Sequence, residues 1–177
     1  MKAMQVFGLA GWSGSGKTTL MTRLIPALTR RGITVSTLKH AHHDFDIDQE
    51  GKDSWRHREA GAQEVLIASD RRWALMHESR GAREPSMDEL LRRMSPVDLV
   101  LVEGYKRGAH AKLEVYRKSV GKPLLAPEDE TIVAIASDAA VPGVALPCFA
   151  LEDAAAIASF IIAHCCIEVV EDGAAQR

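Results

Sequence analysis

The sequence predicts an α/β fold: a mainly parallel sheet in a three-layer sandwich, with an antiparallel β-hairpin added at its edge. Three observations carry this. The apolar run Val6-Phe7-Gly8-Leu9-Ala10 leads into a Gly/Ser-rich loop and then into a helical pattern from Lys17. Short apolar strands and helical stretches alternate through much of the chain, as parallel sheets require. Two β-prone runs, 63–69 and 73–78, flank Asp70-Arg71-Arg72 and read as a hairpin.

The loop is Gly11-Trp12-Ser13-Gly14-Ser15-Gly16-Lys17-Thr18. It satisfies G-x-x-x-x-G-K-[ST] at every fixed position, and its strand and helix flanks are those the motif needs. Backbone N–H groups and the helix N-terminus then form an anion cradle. Small residues let the backbone close around phosphate oxygens. Lys17 is placed to reach the β- and γ-phosphates of a nucleotide, and the Thr18 hydroxyl to sit on Mg²⁺. The fold is therefore of the P-loop NTPase type.

The remaining elements follow in order. Lys17 to Arg31 reads as a helix, with Leu20, Leu24 and Leu28 on one face and Pro26 forcing a kink or an early end. Ile33 to Lys39 is a second strand, expected to pair in parallel with the first through a right-handed crossover. Lys39 and His40 then fall at the ligand-binding edge. A polar loop with His40, His42, His43, Asp44, Asp46 and Asp48 follows. A polar helix, Lys52 to Ala60, carries Arg56 and Arg58, whose forks suit phosphate. Ser86-Met87-Asp88-Glu89 is a capping box that starts a helix running toward Met94 and stopped by Pro96.

Val97 to Val102 is the most apolar strand and ends in Glu103. An acid there is the Walker B arrangement, which gives Mg²⁺ or its waters a carboxylate. Asp98 stands at the wrong end for that role. Leu113 to Arg117 alternates, as a half-exposed strand would. Thr131 to Ala136 is buried, Val144 to Leu146 is a short last strand, and Glu152-Asp153 opens a final helix. One domain over 1–170 and a frayed polar tail over 171–177 are expected.

Hydrophobic residues make up 46% of the 177, charged residues 26%, and the net charge is −2. Such a chain can build a core, and gives no global attraction for nucleic acid or membrane. No apolar stretch approaches the about 18 residues of a membrane span. Met1 to Met4 runs straight into the first strand, so no leader is expected. Cys148, Cys165 and Cys166 form no disulfide framework and fit a reduced, cytoplasmic setting.

The motif alone names no base. The guanine reader Asn-Lys-x-Asp is impossible here, because the chain has no asparagine. Asp138, at the end of what reads as the next buried strand after Glu103, could accept guanine N1–H and N2–H instead. Two other readings stay open. A P-loop small-molecule kinase would use the loop around Arg80 to Arg83 as a lid. A metal-delivery GTPase would use His40, His42 and His43.

The combination of Gly11 to Thr18, Leu38-Lys39-His40 with His43, Gly51-Lys52-Asp53-Ser54 with Arg58-Ala60-Gly61-Ala62, Val102-Glu103-Gly104-Tyr105-Lys106, and Lys112-Leu113-Glu114-Val115 resembles the MobB family. These are the molybdopterin-guanine dinucleotide biosynthesis adaptor proteins, and the resemblance runs from about Val6 to Asp138. It implies a GTP-binding homodimer that supports a separate molybdopterin guanylyltransferase and hydrolyses GTP slowly at most. On that reading GTP and Mg²⁺ are the cofactors. Gly11, Ser13, Gly14, Ser15, Gly16, Lys17, Thr18 and Thr19 hold the phosphates. Thr18 and Glu103 place Mg²⁺, with Asp48 approaching it. Lys39, His40 and Arg58 face an anionic cofactor or partner, molybdopterin included. The hairpin and the Leu113 strand offer a dimer surface.

Overall fold

A computed structural model describes residues 4–41, 45–105 and 108–169. Its chain divides into two compact units, Met1–His40 with Ser95–Arg177, and Ala41–Met94.

The first unit holds β1 (Gln5–Ala10), α1 (Lys17–Thr29), β2 (Val35–Lys39), β5 (Leu99–Glu103), β6 (Lys112–Tyr116), β7 (Ile132–Ser137), β8 (Cys148–Ala150) and α4 (Ala154–His164). Its six strands are all parallel and ordered β2-β5-β1-β6-β7-β8. Leu20, Leu24 and Leu28 of α1 and Ile157 and Ile161 of α4 bury themselves with Phe7, Leu9, Leu99, Leu101, Leu113 and Val115 in one core. Repetition every fourth residue puts the α1 leucines on one stripe. Pro26 lies inside α1, which ends at Thr29, three residues later. Asp153 caps α4, accepting from the Ala156 N–H at 2.9 Å.

Three expectations about this sheet need correction. First, β2 does not pair with β1. It pairs with β5, whose Glu103 stands opposite Lys39, and β5 lies between them. The most apolar strand takes an interior place, paired along both edges by β2 and β1, and Leu99 to Val102 are buried. Second, β6 is not half-exposed and offers no dimer surface. It lies between β1 and β7, with Lys112 and Glu114 buried. Lys112 Nζ donates to Gly108 O, the Thr131 hydroxyl and Asp129. Glu114 accepts from the Leu125 and Ala126 N–H groups, each at 2.8 Å. A loop, not solvent, therefore covers that face. Third, the last strand is Cys148–Ala150 rather than Val144 to Leu146.

The second unit holds α2 (Asp53–Glu59), β3 (Glu64–Ala68), β4 (Trp73–His77) and α3 (Met87–Leu91). The hairpin forms as expected, antiparallel, with Leu66 opposite Leu75. It is not hydrogen-bonded onto the edge of the six-stranded sheet, as the sequence suggested, but makes a two-stranded sheet of its own. The Ser86–Glu89 capping box is complete, but α3 stops at Leu91 and buries no residue. The frayed-tail expectation falls outside the described residues. Among the described residues no helix is long and apolar enough to cross a membrane.

Candidate functional site

Parallel strands put their carboxyl ends on one edge of the sheet, and the loop lies there, between β1 and α1. Gly11 has φ +142°, and a Cβ on it would stand 2.5 Å from Val115 O of the neighbouring strand. Only glycine lets the chain leave β1 so close to β6. Gly16 has φ +98° and sits at the N-cap of α1. The backbone is thus preshaped, with no side chain filling the cradle at Gly14, where an added Cβ would meet nothing within 4 Å.

Lys17 Nζ donates to the Gly11 and Trp12 carbonyls, both at 3.0 Å, and so arches over the loop. Ser15 is buried, and its hydroxyl has no hydrogen-bond partner among the described residues. A buried orphan donor in such a loop suits an anion. Ser13, Gly14, Thr18 and Thr19 are exposed to an incoming ligand.

Thr18 Oγ1 donates to Glu103 Oε1 at 3.4 Å. The hydroxyl at the start of α1 and the carboxylate at the end of β5 therefore meet, as the Walker B reading requires. This oxygen pair has the hard-donor chemistry that suits Mg²⁺. The His40 N–H donates to the Glu103 carbonyl at 2.8 Å, and Lys39 is in register with Glu103. The His40 ring tilts against Tyr105 at 5.1 Å. Thr18, Glu103, Lys39 and His40 are thus brought together.

Asp138 directly follows β7, and β1 and β6 stand between that strand and β5, so β7 is not the sheet's next strand after Glu103. Its Oδ1 accepts from the Lys118 N–H at 3.0 Å, and its Oδ2 pairs with Arg117 at 3.4 Å. Arg117 Nε in turn points to Ser15 O at 3.5 Å. Sequence reading missed Arg117, although its place directly after β6 put it on the ligand edge. It also missed the loop's outer support. Trp12 Nε1 donates to Pro123 O at 2.8 Å, on the same loop whose amides Glu114 holds.

In the second unit Arg58 is engaged by three carboxylates: Asp46 at 3.0 Å, Asp48 at 3.2 Å and Glu78 at 3.9 Å. Burial works against its charge, but Asp48, Asp46 and Glu78 together outweigh it and hold the guanidinium protonated. Asp48, expected near Mg²⁺, has a side chain only 1% exposed in this cluster. The Arg58 charge offsets part of the cost of burying that carboxylate, whose two oxygens have no hydrogen-bond partner among the described residues. Arg80 donates to the Arg58 and Ala62 carbonyls, so it ties this unit internally. His42 and His43 of the proposed metal loop, and Lys106 of the resemblance, lie outside the described residues. Among the described residues no three His, Cys, Asp or Glu gather as metal ligands.

A family model described as "Molybdopterin guanine dinucleotide synthesis protein B", MobB, matches residues 6–138. A molybdopterin-guanine dinucleotide biosynthesis adapter protein from Haemophilus influenzae is 46% identical over 136 residues, 75% of this chain and 74% of that relative. The adapter protein of Escherichia coli is also 46% identical over 136 residues, 75% of this chain and 78% of its own length. A crystal structure of molybdopterin-guanine biosynthesis protein B superposes with a TM-score of 0.72 at 29% identity, covering 90% of this chain and 99% of that one. A MobB homologue from Bacillus stearothermophilus gives 0.68 at 27% identity, covering 93% and 100%.

Proposed function

This chain belongs to the MobB family, and we propose that it serves there as a GTP-binding adaptor. It supports a partner guanylyltransferase that joins GMP to molybdopterin, and its own GTP hydrolysis is slow at most. Such a role belongs in the cytoplasm. The observation that carries the reading is the meeting of Thr18 and Glu103 beside a preshaped phosphate loop.

Gly11 to Thr19 would hold the phosphates through backbone N–H groups, with the Ser15 hydroxyl and Lys17 turned from their present positions onto the oxygens. Thr18 and Glu103 would hold Mg²⁺, which neutralises charge on the β- and γ-phosphates when bound. Lys39 and His40, beside Glu103, extend positive and donor character outward from that point. They suit an anionic group such as the phosphate of molybdopterin. Among the described residues at the carboxyl ends of β1, β2 and β5 no glutamine stands ready to orient a water. Binding rather than turnover is therefore the chemistry supported.

A homodimer is part of the proposal, built on the hairpin. Leu66, Trp73 and Leu75 are 61%, 65% and 45% exposed, more apolar surface than a two-stranded sheet leaves open without a partner.

Thermal shift with Mg·GTP and Mg·ATP tests the nucleotide, since a ligand stabilises by RT ln(1 + [L]/Kd). Wild type is expected to be raised more by GTP, and Lys17→Ala to lose the response. Preference for ATP, or an undiminished response in Lys17→Ala, overturns the reading. A coupled assay completes it: the chain should raise dinucleotide formation by the guanylyltransferase, and Lys17→Ala should not.

A further inference from the structure

The carboxyl ends of β6 and β7 carry a second polar arrangement that the phosphate loop does not explain. Arg117 directly follows β6 and Asp138 directly follows β7. One guanidinium reaches three ways. Its Nε points to the carbonyl of Ser15 at 3.5 Å. Its Nη2 lies 3.4 Å from where a Cβ of Gly16 would stand. Its Nη1 meets Asp138 Oδ2 at 3.4 Å. The other carboxylate oxygen takes the Lys118 N–H at 3.0 Å. Ser137 pins the turn beneath, its hydroxyl donating to Ala139 O at 2.8 Å and accepting from the Ala139 N–H at 3.0 Å.

We infer that Arg117 and Asp138 together form the base-reading end of the nucleotide site. Asp138 accepts the guanine edge, and Arg117 ties that carboxylate to the phosphate loop. The inference rests on the GTP reading above and deepens it.

Four considerations support it. The strand order places Asp138 two interstrand spacings from β1, about 10 Å, so the loop-to-carboxylate direction runs as a nucleotide does from phosphate to base. Guanine presents two donors, N1–H and N2–H, along one edge, and adenine does not. A carboxylate oxygen has two lone pairs, so each oxygen of Asp138 keeps an acceptor site beyond its present partner. The side chains of Arg117 and Asp138 are 35% and 26% exposed, so a ligand can reach both. The Arg117 plane also offers a surface on which a purine can stack. The two residues then do across two strands what one contiguous motif cannot do in a chain without asparagine.

A purely structural strut would hold the loop but would not choose a base. Asp138→Asn separates the two. An amide offers one acceptor and one donor, which mismatches guanine but matches xanthine, whose edge pairs an N1–H donor with an O2 acceptor. Calorimetric titration of the full chain with Mg·GTP, Mg·XTP and inorganic pyrophosphate reads this out. Asp138→Asn should weaken GTP by about tenfold or more, the scale of a hydrogen bond to a charged group. It should also gain affinity for XTP and leave pyrophosphate unchanged. Arg117→Ala should weaken GTP and pyrophosphate alike, and Arg117→Lys should restore part of the loss, which also controls for folding. If wild type prefers GTP but Asp138→Asn keeps that preference, or loses GTP and XTP equally, the inference is overturned and the GTP reading stands. If wild type shows no preference for GTP, that reading falls and this one with it.

Discussion

Glu114 has no access to solvent and two backbone N–H groups to hold. Burial pushes its carboxyl above the usual range, and the Leu125 and Ala126 amides pull it back only in part. A raised folded value means that its ionised form is disfavoured by folding. Its stability contribution is therefore full below the unfolded value and declines as pH rises through the folded one. Glu89 has the opposite sign. Arg83 and the Ser86 N–H and hydroxyl lower it from the ordinary 4.5 to about 2. Its contribution to the capping box is present above 4.5 and is lost as pH falls through about 2. Carboxyl chemical shifts followed by NMR should show Glu89 titrating near 2 and Glu114 above the normal carboxylate range. Glu114→Ala should cost about 1–3 kcal/mol in urea denaturation, the desolvation penalty of amides left unpaired. It should also weaken Mg·GTP binding, because the freed loop is the one that holds Trp12 through Pro123. At this scale the sequence was only partly legible. The loop residues and Glu103 announce their chemistry by type and position. Lys112 and Glu114 announce the wrong thing, since alternating charged residues usually mark a solvated face. Nothing local in the sequence says that Thr131, Asp129 and two loop amides will satisfy them.

At the scale of elements, strand, loop and α1 were readable because each local signal agreed with the next: an apolar run, glycines, then leucines every fourth residue. The hairpin and the capping box were readable for the same reason. Strand pairing was not, because it depends on contacts far apart in the chain. Inserting β5 between β1 and β2 answers to which strand is most apolar, not to which comes next. The last strand illustrates the same limit. Val144 to Leu146 has the better β pattern, yet the ladder to β7 begins only past Pro147, whose carbonyl takes the Ile135 N–H at 2.9 Å. Side-chain and pairing context override strand propensity. The close approach of β6 to the loop gives a testable consequence. Gly11→Ala must hold a φ of +142° and force its Cβ to 2.5 Å from Val115 O. Strain of this kind costs about 1–3 kcal/mol. The variant should unfold at lower urea and lose Mg·GTP binding, whereas a variant that kept both would mean that β6 and the loop can separate freely.

For the whole molecule, the hairpin poses the largest unpaired demand. On one face Val65 and Met76 are buried. On the other, Leu66 stands opposite Leu75 and Trp73 opposite Ala68; Leu66 and Trp73 are mostly open to water and Leu75 nearly half so. The Glu64–His77 pair, at 2.7 Å, closes the end of that apolar strip. A hairpin apolar on both faces is a costly surface to leave exposed. Burying each leucine would contribute about 1.5–3 kcal/mol. A second copy presenting the same strip satisfies both chains at once, as a two-fold contact requires. Light scattering should therefore find a dimer in wild type. Leu66→Lys combined with Leu75→Lys, which places like charges across the strip, should shift it to monomer. The residues proposed to hold GTP phosphates and Mg²⁺ all lie in the other unit. Nucleotide binding should therefore survive the change, even as support of the guanylyltransferase falls if the adaptor must act as a pair. A double variant that remained dimeric would move the interface elsewhere and leave the exposed strip for a different protein.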